Sequence, residues 1–202
     1  MSDVLITGYA ETRIVHRSGR STCDLASEAL HELLNKYELE ISDIDGFAAT
    51  ASLSEAPNPF HAAYLAEVLG LELNWLGTGA IGGASMLCAV ASAARAISGK
   101  QCDIAVVLGA DAPSTRYEAS FGGYRPLFHD LPGLRKPPAA FALVQRAYEE
   151  RYSSAEAALC KIALTQRRHA LLNPLACEKL KRELSESDYL ASPIVADPLR
   201  LL

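Results

Sequence analysis

The segment from Gly77 to Asp111 constrains the fold of this chain more than any other part. It reads GTGAIGGASMLCAVASAARAISGKQCDIAVVLGAD. A glycine-rich loop comes first, an alanine-rich helix over Ala84–Ser98 closed by Gly99 follows, and an apolar strand over Ile104–Leu108 comes last. This order is typical of an α/β unit in which the strand belongs to a buried parallel sheet. The loop is therefore predicted to open onto the amino end of the helix.

The amino end of this helix is where we predict chemistry. The first backbone N–H groups of a helix lack intrahelical partners, and the helix dipole favours negative charge beside them. An enzyme can place a reactive atom there. The sequence has Gly82 and Gly83 at this point and no nucleophilic side chain. This pattern indicates a scaffold that handles acyl groups but lacks the usual covalent step.

Composition restricts the function classes. The 202 residues are 50% hydrophobic and 21% charged, enough for one domain or two small ones with a substantial core. A net charge of −5 and an isoelectric point near 5.5, without a basic stripe, argue against nucleic-acid binding. The N-terminal MSDVLITGYAET does not read as a signal peptide, and no apolar run is long enough for a membrane span. We expect a soluble, cytoplasmic protein.

The cysteines show no metal or disulfide pattern. The five residues Cys23, Cys88, Cys102, Cys160 and Cys177 have no CxxC spacing, which predicts free thiols in a reducing compartment. Cys88 lies in the alanine-rich helix and is expected to be a small, buried core residue. The sequence contains no GxGxxG, P-loop or metal-ligand constellation, so no bound cofactor and no metal are predicted.

Local signals predict an alternation of strands and helices, and hence the α/β class. The first half is expected to contain a strand over Val4–Gly8, a helix capped by Ser21-x-x-Asp24, a strand over Gly46–Ala51, a helix from Asn58-Pro59 to Gly70, and a strand over Leu73–Leu76. The second half is expected to contain a long loop over Ala112–Pro138, helices over Pro138–Tyr152 and Ala155–Leu172 (the latter capped by Ser153-x-x-Glu156), a helix after Asn173-Pro174, and a turn at Ser187-Asp188.

The last residues, PIVADPLRLL over Pro193–Leu202, are expected to be extended and stay apolar to the final position. An end of this composition can simply dock. We favour instead a truncated or split polypeptide, or one that needs a partner to cover Leu199, Leu201 and Leu202.

Motifs along the whole chain match a known family. They are GYAET, SGRST, LASEAL, ISDIDGFA, GGAS, AVASAARAISG, CDIAVVLGAD, QRRHALLNP and SDYLASPIVADPLRLL. In this order they make the chain resemble the thiolase superfamily, especially the branch of sterol-carrier-protein thiolases and thiolase-like lipid-transfer proteins. The resemblance implies a thiolase-like α/β fold, with a mixed sheet between helix layers and an inserted loop and helical region.

The same resemblance implies a division of the chain. Residues 1–111 would be the first part of a thiolase N-terminal domain, and residues 112–192 the inserted loop and helical region. Residues 193–202 would return towards the N-terminal domain and be cut short. Relatives continue with a second half that carries a histidine loop and a second cysteine, so the isolated chain is expected to be inactive.

Active thiolases carry a nucleophilic cysteine at the start of the helix that corresponds to Ala84–Ser98. Matching the motifs places that cysteine at Gly83 or Gly82, and Cys88 lies too far along the helix to replace it. The substrate-binding residues expected at the helix mouth are Gly79, Gly82, Gly83, Ala84 and Ser85.

Some thiolase-like proteins without this cysteine are thought to cleave a carbon–carbon bond of an acyl-CoA by retro-aldol chemistry. They work with a partner that contains an OB-fold and a zinc ribbon. The resemblance therefore implies a coenzyme A thioester as substrate and either this partner or a complementary C-terminal thiolase half. The alternatives are a fragment of a conventional acetyl-CoA acyltransferase and a non-catalytic acyl-CoA-binding scaffold.

The long loop holds the remaining candidates. Its basic residues Arg116, Arg125 and Arg135 suit the phosphates of coenzyme A, the alternative being solvated surface charge. His129 is a weak candidate for a catalytic histidine, the alternative being an exposed loop side chain. Outside the loop, His61 is expected at the surface or an interface.

Relatives pair the strand before the nucleophile loop with its symmetry mate. Leu73–Leu76 occupies that place here, so we predict a homodimer with Trp75 and the Ala84–Ser98 helix near the interface.

Overall fold

The computed structural model describes residues 4–55, 58–113 and 136–202. The chain divides into two compact units. The first unit comprises Met1–Thr12 and His16–Gly123, and the second comprises Arg13–Val15 and Tyr124–Leu202. The expected division at residues 111 and 192 stays a prediction. Within the described ranges, no helix is both long and apolar enough to cross a bilayer.

The first unit is built on a parallel sheet between helices. Its elements are α1 (Thr22–Tyr37), a 3-10 turn (Ile41–Asp43), β1 (Gly46–Thr50), α2 (His61–Val68), β2 (Trp75–Gly79), a 3-10 turn (Gly82–Ala84), α3 (Ser85–Ser98) and β3 (Ala105–Leu108). The described strands run in the order β2-β1-β3, and β1 pairs in parallel with both neighbours. The predicted α/β class is confirmed, and the described strands of this sheet are all parallel.

The core of this unit lies against the central strand. On β1, Gly46 to Ala49 are all buried, because helices cover both faces of a parallel sheet. Phe47 on β1, Leu30 on α1 and Leu65 on α2 are almost completely buried. Each such side chain contributes about 1.5–3 kcal/mol on burial, so this contact between strand and helices is the main apolar stabilisation of the unit.

The start of α1 agrees with the predicted capping box. The Ser21 hydroxyl accepts a hydrogen bond from the Asp24 backbone N–H at 3.1 Å, and the Asp24 carboxylate accepts one from the Ser21 backbone N–H at 2.8 Å. Two orphan donors at the helix end are thereby satisfied.

Two predicted strands are placed differently. Val4–Gly8 is not a strand: no described strand pairs with it, and Leu5 and Ile6 are 74% and 83% exposed. The strand predicted over Leu73–Leu76 runs over Trp75–Gly79 instead, because the Asp45 carbonyl accepts the N–H groups of Asn74 and Trp75 just ahead of it.

Two helices also differ from expectation. α2 starts at His61 rather than beside Pro59, because the Asn58 side chain accepts the Phe60 N–H at 2.9 Å and forms a local turn. α3 is not buried all round. It buries one stripe, while Leu87 is 76% exposed and Cys88 is exposed too, so the prediction that Cys88 is a buried core residue is wrong.

The second unit contains helices and a small hairpin. Its described elements are α4 (Lys136–Arg151), α5 (Glu156–Leu172), a 3-10 turn (Glu178–Leu180), α6 (Glu186–Ala191), β4 (Ile194–Ala196) and β5 (Leu199–Arg200), with β4 and β5 antiparallel. Arg200 anchors the hairpin, because its guanidinium contacts the Glu156 carboxylate at 2.9 Å and the Leu190 carbonyl at 2.8 Å.

Three local predictions in the second unit are wrong. The residue before α5 is Ala155, with no side-chain cap, and Ser154 rather than Ser153 accepts the Glu156 N–H at 3.3 Å. The residues after Asn173 form a turn and a 3-10 segment instead of an α-helix. The predicted turn at Ser187-Asp188 is helical, because Ser185 caps α6 in a capping box. Most of the predicted long loop lies outside the described residues.

Candidate functional site

The loop between β2 and α3 is shaped by close backbone approaches. A Cβ atom on Gly79, at the end of β2, would lie 2.8 Å from the Ser85 carbonyl oxygen, so this position requires glycine. The Ser85 hydroxyl accepts the Ile81 N–H at 3.0 Å and donates to the Gly82 carbonyl at 2.7 Å. Ser85 therefore holds the loop onto the first turn of α3. Its predicted contact with substrate stays a prediction.

Gly82 and Gly83 differ in whether their backbone conformation allows a side chain. Gly82 has φ +71°, in the left-handed region that glycine alone adopts freely, whereas Gly83 has no such conformation. An ideal Cβ at either position meets no atom within 4 Å. Position 83 thus has both the backbone and the space for a side chain, and no nucleophile occupies it.

The amino end of α3, called here the α3 mouth, comprises residues 82–85. Within the described residues, the N-cap residue Ala84 forms no side-chain cap, and no acidic residue lies in the first turn. The field of the helix dipole at the α3 mouth is therefore not offset locally by a carboxylate. Together with the exposed Gly82 and Gly83, this arrangement suits an anion or a developing oxyanion.

The ends of the three strands meet at the same edge of the sheet. The Ala51 N–H, just after β1, donates to the carbonyl of Gly79 at 2.8 Å. A Cβ on Gly109, just after β3, would lie 2.9 Å from the Met86 side chain of α3 and 3.1 Å from the Thr50 hydroxyl. The α3 mouth therefore lies at the carboxyl edge of the parallel sheet, where α/β proteins bind ligands.

A second feature of this edge is a hydrogen-bonded group, here called the Asp111 knot, that comprises Thr22, Ser52, Ser54 and Asp111. The Asp111 carboxylate accepts four hydrogen bonds: from the Ser52 hydroxyl at 3.0 Å, the Leu53 N–H at 2.9 Å, and the Ser54 N–H and hydroxyl at 2.9 and 2.5 Å. The knot joins the segment after β1 to the segment after β3.

The Ser54 hydroxyl is the centre of this knot. It accepts the Ala112 N–H at 3.0 Å and lies 2.9 Å from the Thr22 hydroxyl at the start of α1. Burial opposes ionisation of Asp111, but the hydrogen bonds from Ser54, Leu53 and Ser52 outweigh it, and the pKa of Asp111 lies below its usual value. The knot was not predicted from the sequence, although polar residues shortly after two predicted strands are a signal for it.

His61 is the clearest correction among the predicted side chains. A position at the surface or an interface is predicted, but the side chain is only 7% exposed at the first position of α2. Neither ring nitrogen has a hydrogen-bond partner among the described residues. Burial lowers the pKa of His61, and the negative charges of Glu55 and Asp111 offset this effect only in part.

Several predicted site residues lie outside the described part of the chain: Arg116, Arg125, His129 and Arg135. Their roles stay predictions. Of the thiols, Cys102 and Cys160 are buried, and burial raises the pKa of each. The described residues contain no cluster of three histidine, cysteine, aspartate or glutamate side chains arranged to hold a metal ion.

The comparisons with known proteins fit this geometry. No family model matches the chain. The solved structure of the Ltp2-ChsH2(DUF35) aldolase superposes with a TM-score of 0.79 at 27% identity, over 96% of this chain and 50% of that one. A monomeric SCP2-thiolase-like protein type 1 from Mycobacterium smegmatis shares the fold, with a TM-score of 0.60 at 17% identity, over 83% of this chain and 35% of that one.

Two curated proteins are also similar to the chain. A steroid side-chain-cleaving aldolase of Thermomonospora curvata is 26% identical over 215 residues, which cover 98% of this chain and 52% of that protein. The chain has a thiolase-like fold. A 17-hydroxy-3-oxo-4-pregnene-20-carboxyl-CoA lyase of Mycobacterium tuberculosis is 27% identical over 208 residues, covering 98% of this thiolase-like chain and 53% of the lyase. The chain spans about half the length of the curated relatives it matches.

Proposed function

We propose that this thiolase-like chain is one part of an enzyme that cleaves a carbon–carbon bond of an acyl-CoA thioester by retro-aldol chemistry. The observation that carries the proposal is the α3 mouth. Among the described residues, it offers the end of a helix and an unfilled position at Gly83 that carries no nucleophilic side chain. The names of the relatives, an aldolase and an acyl-CoA lyase, support the same reaction class.

The reaction balances without an acyl-enzyme, an oxidant or a reductant. A base removes the proton from the β-hydroxyl oxygen, and that oxygen becomes the carbonyl oxygen of the first product. The bond between the α and β carbons breaks, and its electron pair moves into the thioester as an enolate. N–H groups at the α3 mouth hold the enolate oxygen, and a proton then adds to the α carbon. His129 is the candidate for this base.

The substrate class follows from the mouth and from the relatives. Glycine at positions 82 and 83 leaves room for a bulky acyl group, and the named relatives act on steroid side chains and a pregnene carboxyl-CoA. We therefore propose a coenzyme A thioester with a bulky, steroid-like acyl group. Arg116, Arg125 and Arg135 are the proposed contacts of the coenzyme A phosphates.

The proposed enzyme needs a second component. This chain matches only about half of its curated relatives, and one similar structure is named for a pair, Ltp2 and ChsH2. We propose a complementary C-terminal thiolase half, an OB-fold and zinc-ribbon partner, or both.

A homodimer is the further proposed assembly. Among the described strands, β2 pairs only with β1 and leaves its other edge open. Ile81 and Leu87, on the loop and helix that follow β2, are exposed apolar side chains. Two-fold pairing through β2, with Trp75 near the axis, would cover this edge. Sedimentation as a dimer at micromolar concentration is expected, and a well-behaved monomer there would contradict it.

The direct test of the proposed reaction is a product balance. The chain is combined with the complementary half of a relative and given a β-hydroxyacyl-CoA with a steroid-like acyl group. We expect a shorter acyl-CoA and a carbonyl compound in equal amounts, with no free coenzyme A consumed or released. Binding without turnover would instead indicate the non-catalytic scaffold, and cleavage of the matching β-ketoacyl-CoA that depends on free coenzyme A would indicate a conventional thiolase.

A variant with a large side chain at position 83 tests whether the α3 mouth is the acyl site. Gly83→Leu places a side chain in the proposed acyl site, so product formation should fall by at least about tenfold, or about 1.4 kcal/mol in transition-state stabilisation. Ser98→Leu, at the exposed opposite end of α3, should leave the rate unchanged. Equal rates for both variants and the unmodified chain would place the site elsewhere.

A further inference from the structure

Met86 is an apolar side chain directly after the α3 mouth, and the proposed reaction assigns it no role. It is the second residue of α3 and is 40% exposed. Its terminal methyl group lies only 2.9 Å from the point that a Cβ atom on Gly109 would occupy. The Met86 side chain therefore fills the space that a side chain at position 109 would need, just after the end of β3.

The direction of the Met86 side chain follows from the buried stripe of α3. The buried residues of this helix are Ser85, Ala89, Ala93 and Ala96. Because successive residues are about 100° apart around a helix, Met86 stands beside this stripe, whereas Leu87 stands on the opposite side of the helix. Met86 thus leans over the carboxyl edge of the sheet, and Leu87 points away from it.

Thr50 lies at the bottom of the same space. Its hydroxyl is 3.1 Å and its methyl group 3.8 Å from the Cβ position on Gly109. Thr50 ends β1, and Gly109 follows β3, the strand that pairs with β1. Gly109 itself is exposed. The Met86 side chain therefore covers a cleft between the ends of two adjacent strands, and this cleft reaches the surface.

Met86 also lies next to the open position 83. Residues three apart stand on the same side of a helical turn, with Cβ atoms about 5–6 Å apart. An ideal Cβ at position 83 meets no atom within 4 Å. A small acyl group held over position 83 therefore has free space, whereas a bulky one directed towards the sheet meets the Met86 side chain.

We propose that Met86 determines the size of the acyl group that the α3 mouth accepts. Its unbranched thioether chain is flexible and forms an adaptable wall between the mouth and the cleft above Thr50. A shorter side chain at position 86 opens this cleft to a bulky acyl group. The inference rests on the proposed acyl site at Gly83, and it names the residue that selects among acyl groups there.

The test measures acyl transfer to the thiol introduced by Gly83→Cys in the full chain, followed by mass spectrometry and peptide mapping. Two thioesters of N-acetylcysteamine serve as probes, one with an acetyl and one with a cyclohexanecarbonyl group. The thiolate attacks the thioester carbonyl carbon, a new C–S bond replaces the old one, and N-acetylcysteamine leaves. The ratio of the bulky rate to the acetyl rate cancels differences in thiol reactivity between variants.

Two substitutions should move this ratio in opposite directions. Met86→Ala, added to Gly83→Cys, should raise it by about tenfold, a selectivity that one apolar contact can provide. Gly109→Ala should lower it by about threefold, because its methyl group displaces the end of Met86 towards the mouth. When Met86→Ala is already present, Gly109→Ala should change the ratio by less than about twofold, since both substitutions act through the same contact.

Ile104→Ala is the matched control. Ile104 is 40% exposed, as Met86 is, but it precedes β3 at the opposite edge of the sheet, so the ratio should stay within about twofold. Gly109→Ala keeps Met86 and tests the same contact if Met86→Ala does not fold. An unchanged ratio in Met86→Ala, or an equal change in Ile104→Ala, would overturn the role of Met86. No labelling of position 83 by either thioester in any variant would instead contradict the proposed acyl site, and the inference with it.

Discussion

The α3 mouth and the Asp111 knot lie at the same edge of one parallel sheet, yet they are built in opposite ways. At the mouth, Gly82 and Gly83 leave space, and no side chain of the described residues caps the helix. In the knot, one carboxylate and two serine hydroxyls satisfy one another and the backbone around them. The comparison teaches that a rigid polar brace can hold strand ends in place while the adjacent helix end stays open for a ligand.

The largest expected effect is the loss of folding stability when the Asp111 knot is removed. Asp111→Ala removes the acceptor of four hydrogen bonds, including those from the backbone N–H and the hydroxyl of the buried Ser54. We expect a loss of about 3 kcal/mol in the free energy of unfolding, measured by urea denaturation. Asp103→Ala, at an exposed carboxylate near the start of β3, should cost less than about 0.5 kcal/mol. Similar losses for the two variants would mean that the knot does not brace the edge.

Acid should weaken the same region in two steps. The pKa of His61 is lower in the folded chain than in the unfolded one, so its contribution to stability is present above about pH 6.5 and decreases as the pH falls below that value. The pKa of Asp111 is also lowered, so its contribution is present above about pH 3.9 and is lost as the pH falls further. Urea midpoints measured from pH 8 to pH 3 should show both steps.

Two variants show which residue causes each of the two pH-dependent losses of stability. His61→Phe should remove the step that begins below about pH 6.5 and keep the step at lower pH, while Asp111→Asn should do the reverse. Each pKa unit of lowering corresponds to about 1.4 kcal/mol. If His61→Phe left the first step unchanged, the buried position of the ring would not be its cause.

Alanine substitutions at the three loop glycines compare how much space and conformational freedom each position has. Gly79→Ala forces a methyl group to within 2.8 Å of the Ser85 carbonyl and should cost about 1–3 kcal/mol. Gly82→Ala should cost about 1–2 kcal/mol, because its φ of +71° strains any side chain. Gly83→Ala meets nothing within 4 Å and should change stability by less than about 0.5 kcal/mol. Thermal unfolding of the three variants should reproduce this order, and a Gly83→Ala variant as unstable as Gly79→Ala would show that the mouth is closed.

The smallest expected effect is on thiol reactivity at the mouth. Gly83→Cys places a thiol at the amino end of α3, where the dipole lowers its pKa below the roughly 8.5 of a free cysteine. At neutral pH, iodoacetamide should alkylate it several-fold faster than Cys88, which is exposed one turn further along the same helix. Equal rates would mean that the helix end does not activate a thiol.

Much of the first unit follows from sequence patterns, because local signals coincide there with the burial that the fold provides. The capping box at Ser21 and the strand from Gly46 both have a local cause, and both are confirmed. The strand predicted over Val4–Gly8 is wrong because a strand depends on non-local pairing, and no described strand pairs with it. The turn predicted at Ser187-Asp188 is wrong for a local reason, because the capping box of Ser185 and Asp188 begins α6 there.

Some residues of the candidate site could be predicted from the sequence and others could not. The glycines of the mouth could be identified from the sequence, because their positions precede a recognisable helix. The pairing of Asp111 with Ser52 and Ser54 could not, because these residues are nearly sixty positions apart and meet only when β1 and β3 align. His61 was placed wrongly for the related reason that burial at the start of α2 depends on neighbours from distant segments.

The most direct test of the central claim is intact-protein mass spectrometry after incubation with an acyl-CoA thioester. The claim is that the α3 mouth receives the acyl group but has no nucleophile to capture it. The unmodified chain should therefore keep its mass, while Gly83→Cys should gain one acyl group, mapped by peptide analysis to position 83. Acylation of the unmodified chain, or acylation of Gly83→Cys at Cys88 instead of position 83, would contradict the account.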